Sequence, residues 1–327
     1  VMANLSDALL QAAVVTYLIA MTCYLVEFSF GRRGAVARVA ARPDRELVPA
    51  GSVPAQAQSP VVEVTRPAAV SIPPGRAAGF GRIAVGLNIL ALGLHIGILI
   101  ARGVDAGRVP WGNMYEFVLT LTAVASSAWL VLLARRTDLR HLGVFVTAAL
   151  TLLLGYAAVV LHTAAAPLMP ALNSYWLKIH VTAAATASGL LLIGFVPAAL
   201  FLIRAGYDKG NRRFPYTLGR NLPAADGLER LTFRLHTFAF PIWTLAVICG
   251  AIWAEAAWGR YWGWDPKETW SFISWVAYAA YLHARATPSV KRTTATWFAV
   301  AAWGTMLINL YVINFVAVGL HSYAGVD

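Results

Sequence analysis

Six of the chain's twelve tryptophans fall within WAEAAWGRYWGWDPKETWSFISW, residues 253–275. Tryptophan favours the membrane–water interface, which accounts for two or three rings at a helix end. It does not account for Trp258, Trp262 and Trp264 crowded into one short segment with Gly259 and Gly263 between them. Such a segment is expected to form a flat-faced aromatic platform, suited to a large, planar, apolar ligand. The residues that follow, Asp265-Pro266-Lys267-Glu268, read as a helix start, with Asp at the N-cap, Pro at the first helical position and Glu at the third. Lys267, next to that helix N-terminus, is a candidate partner for an anionic group of the same ligand.

The seven histidines are His95, His141, His162, His180, His236, His283 and His321. Ionisable groups inside a membrane are costly and tend to be functional. His180 opens an apolar run in NSYWLKIHVTAAATASG, and its helical neighbours Ala183, Ala184, Ala187 and Ser188 are small. They leave room beside the imidazole for a bulky partner, or serve close helix packing. His321 follows the last apolar run, in NFVAVGLHSYAG. Two imidazoles near an aromatic platform form the pattern of a bis-histidine haem site, since neutral imidazole is a common axial ligand. His283 lies about 25 Å along the helix that begins at Pro266, so it belongs to the opposite membrane boundary. There it is either a second ligand position or an interfacial histidine beside Arg285.

The elements that must position these groups are membrane helices. Hydrophobic residues make up 59% of the 327 residues and charged ones 13%, and the mean hydropathy is +0.63. A soluble domain carries about a quarter charged residues. Eight apolar segments approach the ~20 residues needed to cross a bilayer: 7–30, 82–101, 115–134, 142–162, 179–203, 236–256, 267–285 and 295–318. The fold class expected is therefore an all-α polytopic bundle of about eight transmembrane helices with an external Trp-rich loop. The first segment is long enough to remain in the membrane rather than be cleaved as a signal.

The net charge of +11 has a topological explanation. Segments 31–81, 135–141, 204–235 and 286–294 hold most of the arginines and lysines, whereas 102–114, 163–178 and 257–266 hold few. By the positive-inside rule the basic segments are cytoplasmic, and both termini and the tryptophan loop lie on the outer side. No nucleic-acid partner is needed to explain the charge. Three regions result: a first transmembrane helix at 1–30, a flexible basic linker at 31–81 whose composition lacks helical or strand period, and a transmembrane domain at 82–327. Cys23 and Cys249 form no Cys-x-x-Cys and suggest no redox or zinc chemistry.

WGRYWGWDPKETW resembles the WWD motif of haem-handling membrane proteins, and YWLKIHV, YLHAR (281–285) and GLHSYA resemble the histidine motifs of their CcsA/ResC branch. NMYEF at 113–117 is similar to a further motif of that branch. The resemblance covers most of the chain from the second helix onward. It implies the second system of c-type cytochrome maturation, with haem b as cofactor and holocytochrome c synthase (haem lyase) activity shared with a ResB/CcsB partner. It also implies apocytochrome c, presenting Cys-x-x-Cys-His, as client, with a thiol-reducing thioredoxin-like pathway acting indirectly. On this resemblance His180 and His321 match the external haem ligands and His283 a transmembrane one, while Trp258, Trp262, Trp264, Asp265, Lys267 and Trp270 belong to the haem-binding motif. Arg260 stands where the motif usually has a small residue.

Two other readings compete. A haem exporter or chaperone of the same motif would lack ligase activity. A cytochrome b-type quinone oxidoreductase subunit would pair histidines thirteen or fourteen residues apart on its helices, a pair that no helix here carries, and would leave the tryptophan loop unexplained.

Overall fold

The computed structural model describes residues 2–31, 74–167, 172–317 and 319–321. Most of the 31–81 linker lies outside them. The described residues hold no strand, and the chain is an all-α, multi-pass membrane protein. Its helices are α1 (Met2–Phe30), α2 (Pro74–Ala106), α3 (Met114–Arg135), α4 (Gly143–Val160), α5 (Tyr175–Asp208), α6 (Ala225–Trp258), α7 (Pro266–Ala286) and α8 (Arg292–Leu307). A π-helical segment, Ile308–Val312, carries α8 into a last turn, Ile313–Val316.

Seven spans, among the described residues, are long and apolar enough to cross a bilayer. The exception is α7, expected above as a full span. Its 21 residues reach about 31 Å, but Lys267, Glu268, Ser271, Ser274 and Arg285 lower its apolar content. It packs between α6 and α8, which shields those groups from lipid.

Small residues set the packing of α1 on α2. Buried positions recur at alternating spacings of three and four along both helices: Ser6, Leu10, Ala13, Tyr17, Ala20, Tyr24 and Glu27 face Ala77, Gly81, Ala84, Asn88, Ala91, His95 and Ile98. This is the period of knobs-into-holes packing. The repeat begins at Ala77, which explains why α2 starts at Pro74 rather than near 82: the first two turns already have a partner. Glu27 anchors that end through an ion pair with Arg140. Deeper in, the Tyr17 hydroxyl donates to Ser126 Oγ at 2.9 Å, and Ser126 to Asn88 Oδ1 at 3.2 Å, tying α3 to the pair. The other faces of α1 and α2 expose Val15, Leu18, Ile19, Ile83, Ile89 and Leu90, as lipid-facing helices should.

The second half of the bundle is built on α5, which packs against α3, α6 and α8. The start of α7 is the capping box expected from sequence: the Asp265 side chain accepts from backbone N–H groups of the first turn, and Glu268 accepts from the Asp265 amide. The last span, expected over 295–318, runs Arg292–Val316 and widens within into the π-helical segment, where Asn309 Nδ2 donates to Ser271 Oγ of α7 at 2.9 Å.

Near the start of α3, Glu116 is fully buried and accepts from Arg102 at 3.1 Å, Arg108 at 2.7 Å and the Gly112 amide at 2.8 Å. Arg102 and Arg108 also donate to the carbonyls of Thr163 and Ala166. One carboxylate thus gathers α2, α3 and the segment after α4. Removing one partner of a buried ion pair costs about 3–5 kcal/mol, because the remaining charges lose their compensation. Glu116→Ala is expected to lower the thermal unfolding midpoint in detergent clearly, whereas Asp138→Ala, which removes an exposed pair with Arg136, should leave it nearly unchanged.

Candidate functional site

The antiparallel pair α5–α6 holds His180 by three contacts. Its Nδ1 lies 2.8 Å from the Ala246 carbonyl; a carbonyl only accepts, so Nδ1 carries the proton. In the neutral ring the lone pair is then on Nε2. The ring stacks on Trp253, with centroids 6.0 Å apart and planes 9° apart. Gly250 makes the space for it, since a Cβ there would lie 2.8 Å from His180 Cε1.

His321 arrives from the far end of the sequence. The turn after Ile313–Val316 brings it over the start of α7, where Nδ1 donates to Asp265 Oδ2 at 2.8 Å and the Leu320 amide donates to Oδ1 at 2.8 Å. Burial works against the Asp265 charge, but these bonds and that from the Lys267 amide outweigh it and hold the carboxyl below its ordinary pKa. Asp265 therefore stays ionised at neutral pH. With Nδ1 donating, the lone pair of neutral His321 also sits on Nε2. Trp258 and Trp253 contact this imidazole edge-on, at 5.0 and 5.8 Å between centroids.

Both imidazoles line one cavity of about 140 Å³, together with Trp253, Trp262, Lys267 and Met114. Most of the remaining lining is apolar and comes from α3, α5, α6 and the π-helical end of α8. Lys267 reaches into it from the first turn of α7, and its ammonium donates to Asn314 Oδ1. No carboxylate among the described residues lies within 4 Å of that ammonium. The described residues contain no cluster of three or more His, Cys, Asp and Glu able to hold a metal. Two imidazoles are too few donors to retain a bare ion, but they suit a metal whose other four positions a macrocycle already fills.

The tryptophans are not arranged as the flat platform expected. Trp253 and Trp258 meet at 62°, and Trp262 and Trp264 at 89°. Aromatic quadrupoles favour such edge-to-face contacts over coplanar rings. Trp264 adopts a positive φ of 58° and is 66% exposed, away from the cavity. Trp262 lines the cavity, and Trp258 supports His321 from outside it. Trp270, half-buried on α7, does not line it. Arg260 turns from solvent to Glu268, at 3.1 Å.

His283 is exposed at the opposite end of α7 and does not meet the other two. The remaining histidines have neighbours of their own. His95 packs edge-on to Tyr17, His141 stacks on Phe28, and His162 lies 3.0 Å from Asp7. His236 donates to the Thr232 carbonyl between Tyr278 and Tyr281. Sequence reasoning passed over Trp253, Gly250 and the use of Asp265 to orient His321. The first could have been found from its tryptophan-rich surroundings and the second as a glycine inside an apolar helix; the third leaves no local signal.

Residues 111–321 match the family model for cytochrome c assembly proteins. The chain belongs to that family. The matched segment runs from just before α3 to His321 and so contains the whole cavity. Cytochrome c biogenesis protein CcsA of Guillardia theta is 36% identical over 258 residues, covering 74% of this chain and 85% of that protein. CcsA of a Synechococcus strain is 33% identical over 295 residues, covering 74% and 84%. The fold also resembles that of cytochrome c haem lyase CcmF, with a TM-score of 0.57 at 17% identity. That match covers 95% of this chain, which spans about half of the CcmF chain (47%). A role in cytochrome c maturation follows from family membership.

For a member of this family, the notch at Gly250 gives a direct test of the cavity. Gly250→Ala must push the His180 ring from its place, and a displacement on the order of 1 Å at a working group costs tenfold or more in rate. The yield of mature cytochrome c in cells that depend on this chain should fall at least about tenfold. Gly304→Ala, whose added methyl meets nothing within 4 Å, should leave it unchanged.

Proposed function

We propose that this chain holds haem b at the cavity between His180 and His321 and, with a ResB/CcsB-type partner, presents it to apocytochrome c for thioether attachment. The observation that carries the reading is the matched state of the two imidazoles. They come from elements 141 residues apart in sequence, line one apolar cavity, and each has Nδ1 committed to an acceptor, which directs the lone pair to Nε2. Second bonds of this kind fix the orientation and raise the basicity of a metal-bound histidine.

On this reading the side chains position the haem and the covalent chemistry belongs to haem and client. Trp253 and Trp262 supply apolar walls, and Lys267 offers a cation to a propionate. Trp258 and Asp265 hold His321, while Trp264 and Trp270 complete the surrounding aromatic belt. Each client thiol adds S–H across a vinyl C=C, forming one C–S and one C–H bond with no net oxidation. No side chain of this chain becomes covalently linked. The tryptophan end faces the extracytoplasmic side together with both termini, as the distribution of basic residues supports. His283, exposed at the other end of α7, is the ligand at which haem enters from the cytoplasmic side, with the partner subunit supplying a second ligand.

The test is a reduced-minus-oxidised visible spectrum of the protein purified with its ResB/CcsB-type partner. A six-coordinate b-type signal is expected, and His180→Ala combined with His321→Ala should abolish it along with cytochrome maturation. Unchanged holocytochrome yield in the double variant would end the proposal. A complex that binds haem yet matures no cytochrome would favour the exporter reading over the ligase.

A further inference from the structure

The lipid-facing side of α6 is not uniformly apolar. At the angular step of an α-helix, Arg230, Arg234, Phe238, Pro241, Leu245 and Ile248 fall within one stripe about 80° wide, and all six are exposed. From Phe238 to Ile248 the helix rises about 15 Å, half of the ~30 Å hydrocarbon thickness of a bilayer. The apolar part of the stripe therefore matches the depth of one leaflet. The two arginines lie one turn apart immediately before it, at the basic end of the bundle. Among the described residues, no carboxylate lies within 4 Å of either guanidinium. Glu229, beside them in sequence, is buried and paired with Arg285. Asp226 sits in the first turn of α6, where the helix N-terminus favours its charge. At the other end of the stripe, seven residues beyond Ile248, Glu255 is exposed.

From this pattern we propose that α6 carries a binding site for an anionic phospholipid, with Arg230 and Arg234 on its phosphate and an acyl chain along Phe238, Leu245 and Ile248. Guanidinium groups bind phosphate through paired, charge-assisted hydrogen bonds. Two of them one turn apart on one face present themselves to the same headgroup, and their long stems reach it from the membrane boundary. A zwitterionic lipid offers the same phosphate with a cation attached, so the net attraction is lost. In the opposite leaflet Glu255 repels an anionic headgroup, and the stripe selects such a lipid at one end only. A protein covering the stripe would have to bring acidic groups to the edge of the bilayer, where anionic headgroups already lie. Lipid binding here does not depend on haem. It acts on the helix that seats His180, however: Ala246, which accepts from that ring, lies about 18 Å along α6 from Arg234.

The experiment is native mass spectrometry of the full chain in detergent, titrated with dioleoyl phosphatidylglycerol or dioleoyl phosphatidylcholine. The unaltered chain should prefer phosphatidylglycerol about 25-fold, at about fivefold for each arginine near a headgroup. Arg230→Gln combined with Arg234→Gln should abolish that preference and leave phosphatidylcholine binding nearly unchanged. Both side chains are exposed, so the fold should survive, and the corresponding pair of Lys substitutions, which keeps the charge, should restore most of the preference. Lys209→Gln combined with Arg213→Gln removes two other exposed cations from the same end and should leave the preference nearly intact. An equal loss in that control would mean diffuse surface charge and would overturn the site. Displacement of the lipid by soluble glycerol phosphate at matched concentration would replace the lipid with a bare anion as occupant. A double Gln variant that keeps its full lipid preference would refute the proposal outright, and one that also sheds a co-purifying membrane protein would make the stripe a subunit interface instead.

Discussion

In a bilayer, backbone N–H and C=O groups have no water to bond, so a spanning segment must satisfy them internally, and helices do this within one segment. The apolar spans described here are helical. That constraint decides where chemistry can be placed. Side chains within the lipid layer are used for packing, whereas irregular backbone collects at the helix ends. The cavity forms at one such end, between the start of α5, the end of α6, the start of α7 and the widened end of α8. His180 reaches it from a helix and His321 from a turn, because only an end of the bundle allows both kinds of support within one site.

Three buried acids make that irregular end permissible. Glu116 gathers two arginines and the Gly112 amide. Glu268 accepts from Arg260, the Gly263 amide at 2.9 Å and the Asp265 amide at 3.1 Å, which orders the tryptophan segment from within. Asp265 accepts from the Lys267 and Leu320 amides and from His321. Each carboxylate satisfies groups that no helix can reach, and ionised acceptors make the stronger hydrogen bonds. Glu268 and Asp265 also depend on each other, since the first bonds the backbone that positions the second. Arg260, the departure from the motif, fits this scheme by neutralising Glu268.

The fold was legible from sequence to the extent that it depends on local pattern. Apolar runs located the helices, and Asp265-Pro266-Lys267-Glu268 gave the start of α7 correctly because a capping box is complete within four residues. The start of α2 was placed too late, since Pro74 to Gly81 are ordered by Glu27 and Arg140 rather than by their own apolar content. The π-helical break in α8 was invisible for a similar reason: Asn309 is drawn toward Ser271, a contact between helices. Within the site, residue types were readable but arrangement was not. The crowding of Trp258, Trp262 and Trp264 suggested coplanar rings, while ring electrostatics turned them edge to face and sent Trp264 outward.

The pairing of Asp265 with His321 spans 56 residues and lies beyond any local reading. Two histidines of identical chemistry thus acquire different surroundings from their positions in the fold: His180 takes a helix notch and a backbone carbonyl, and His321 takes the carboxylate that also caps α7.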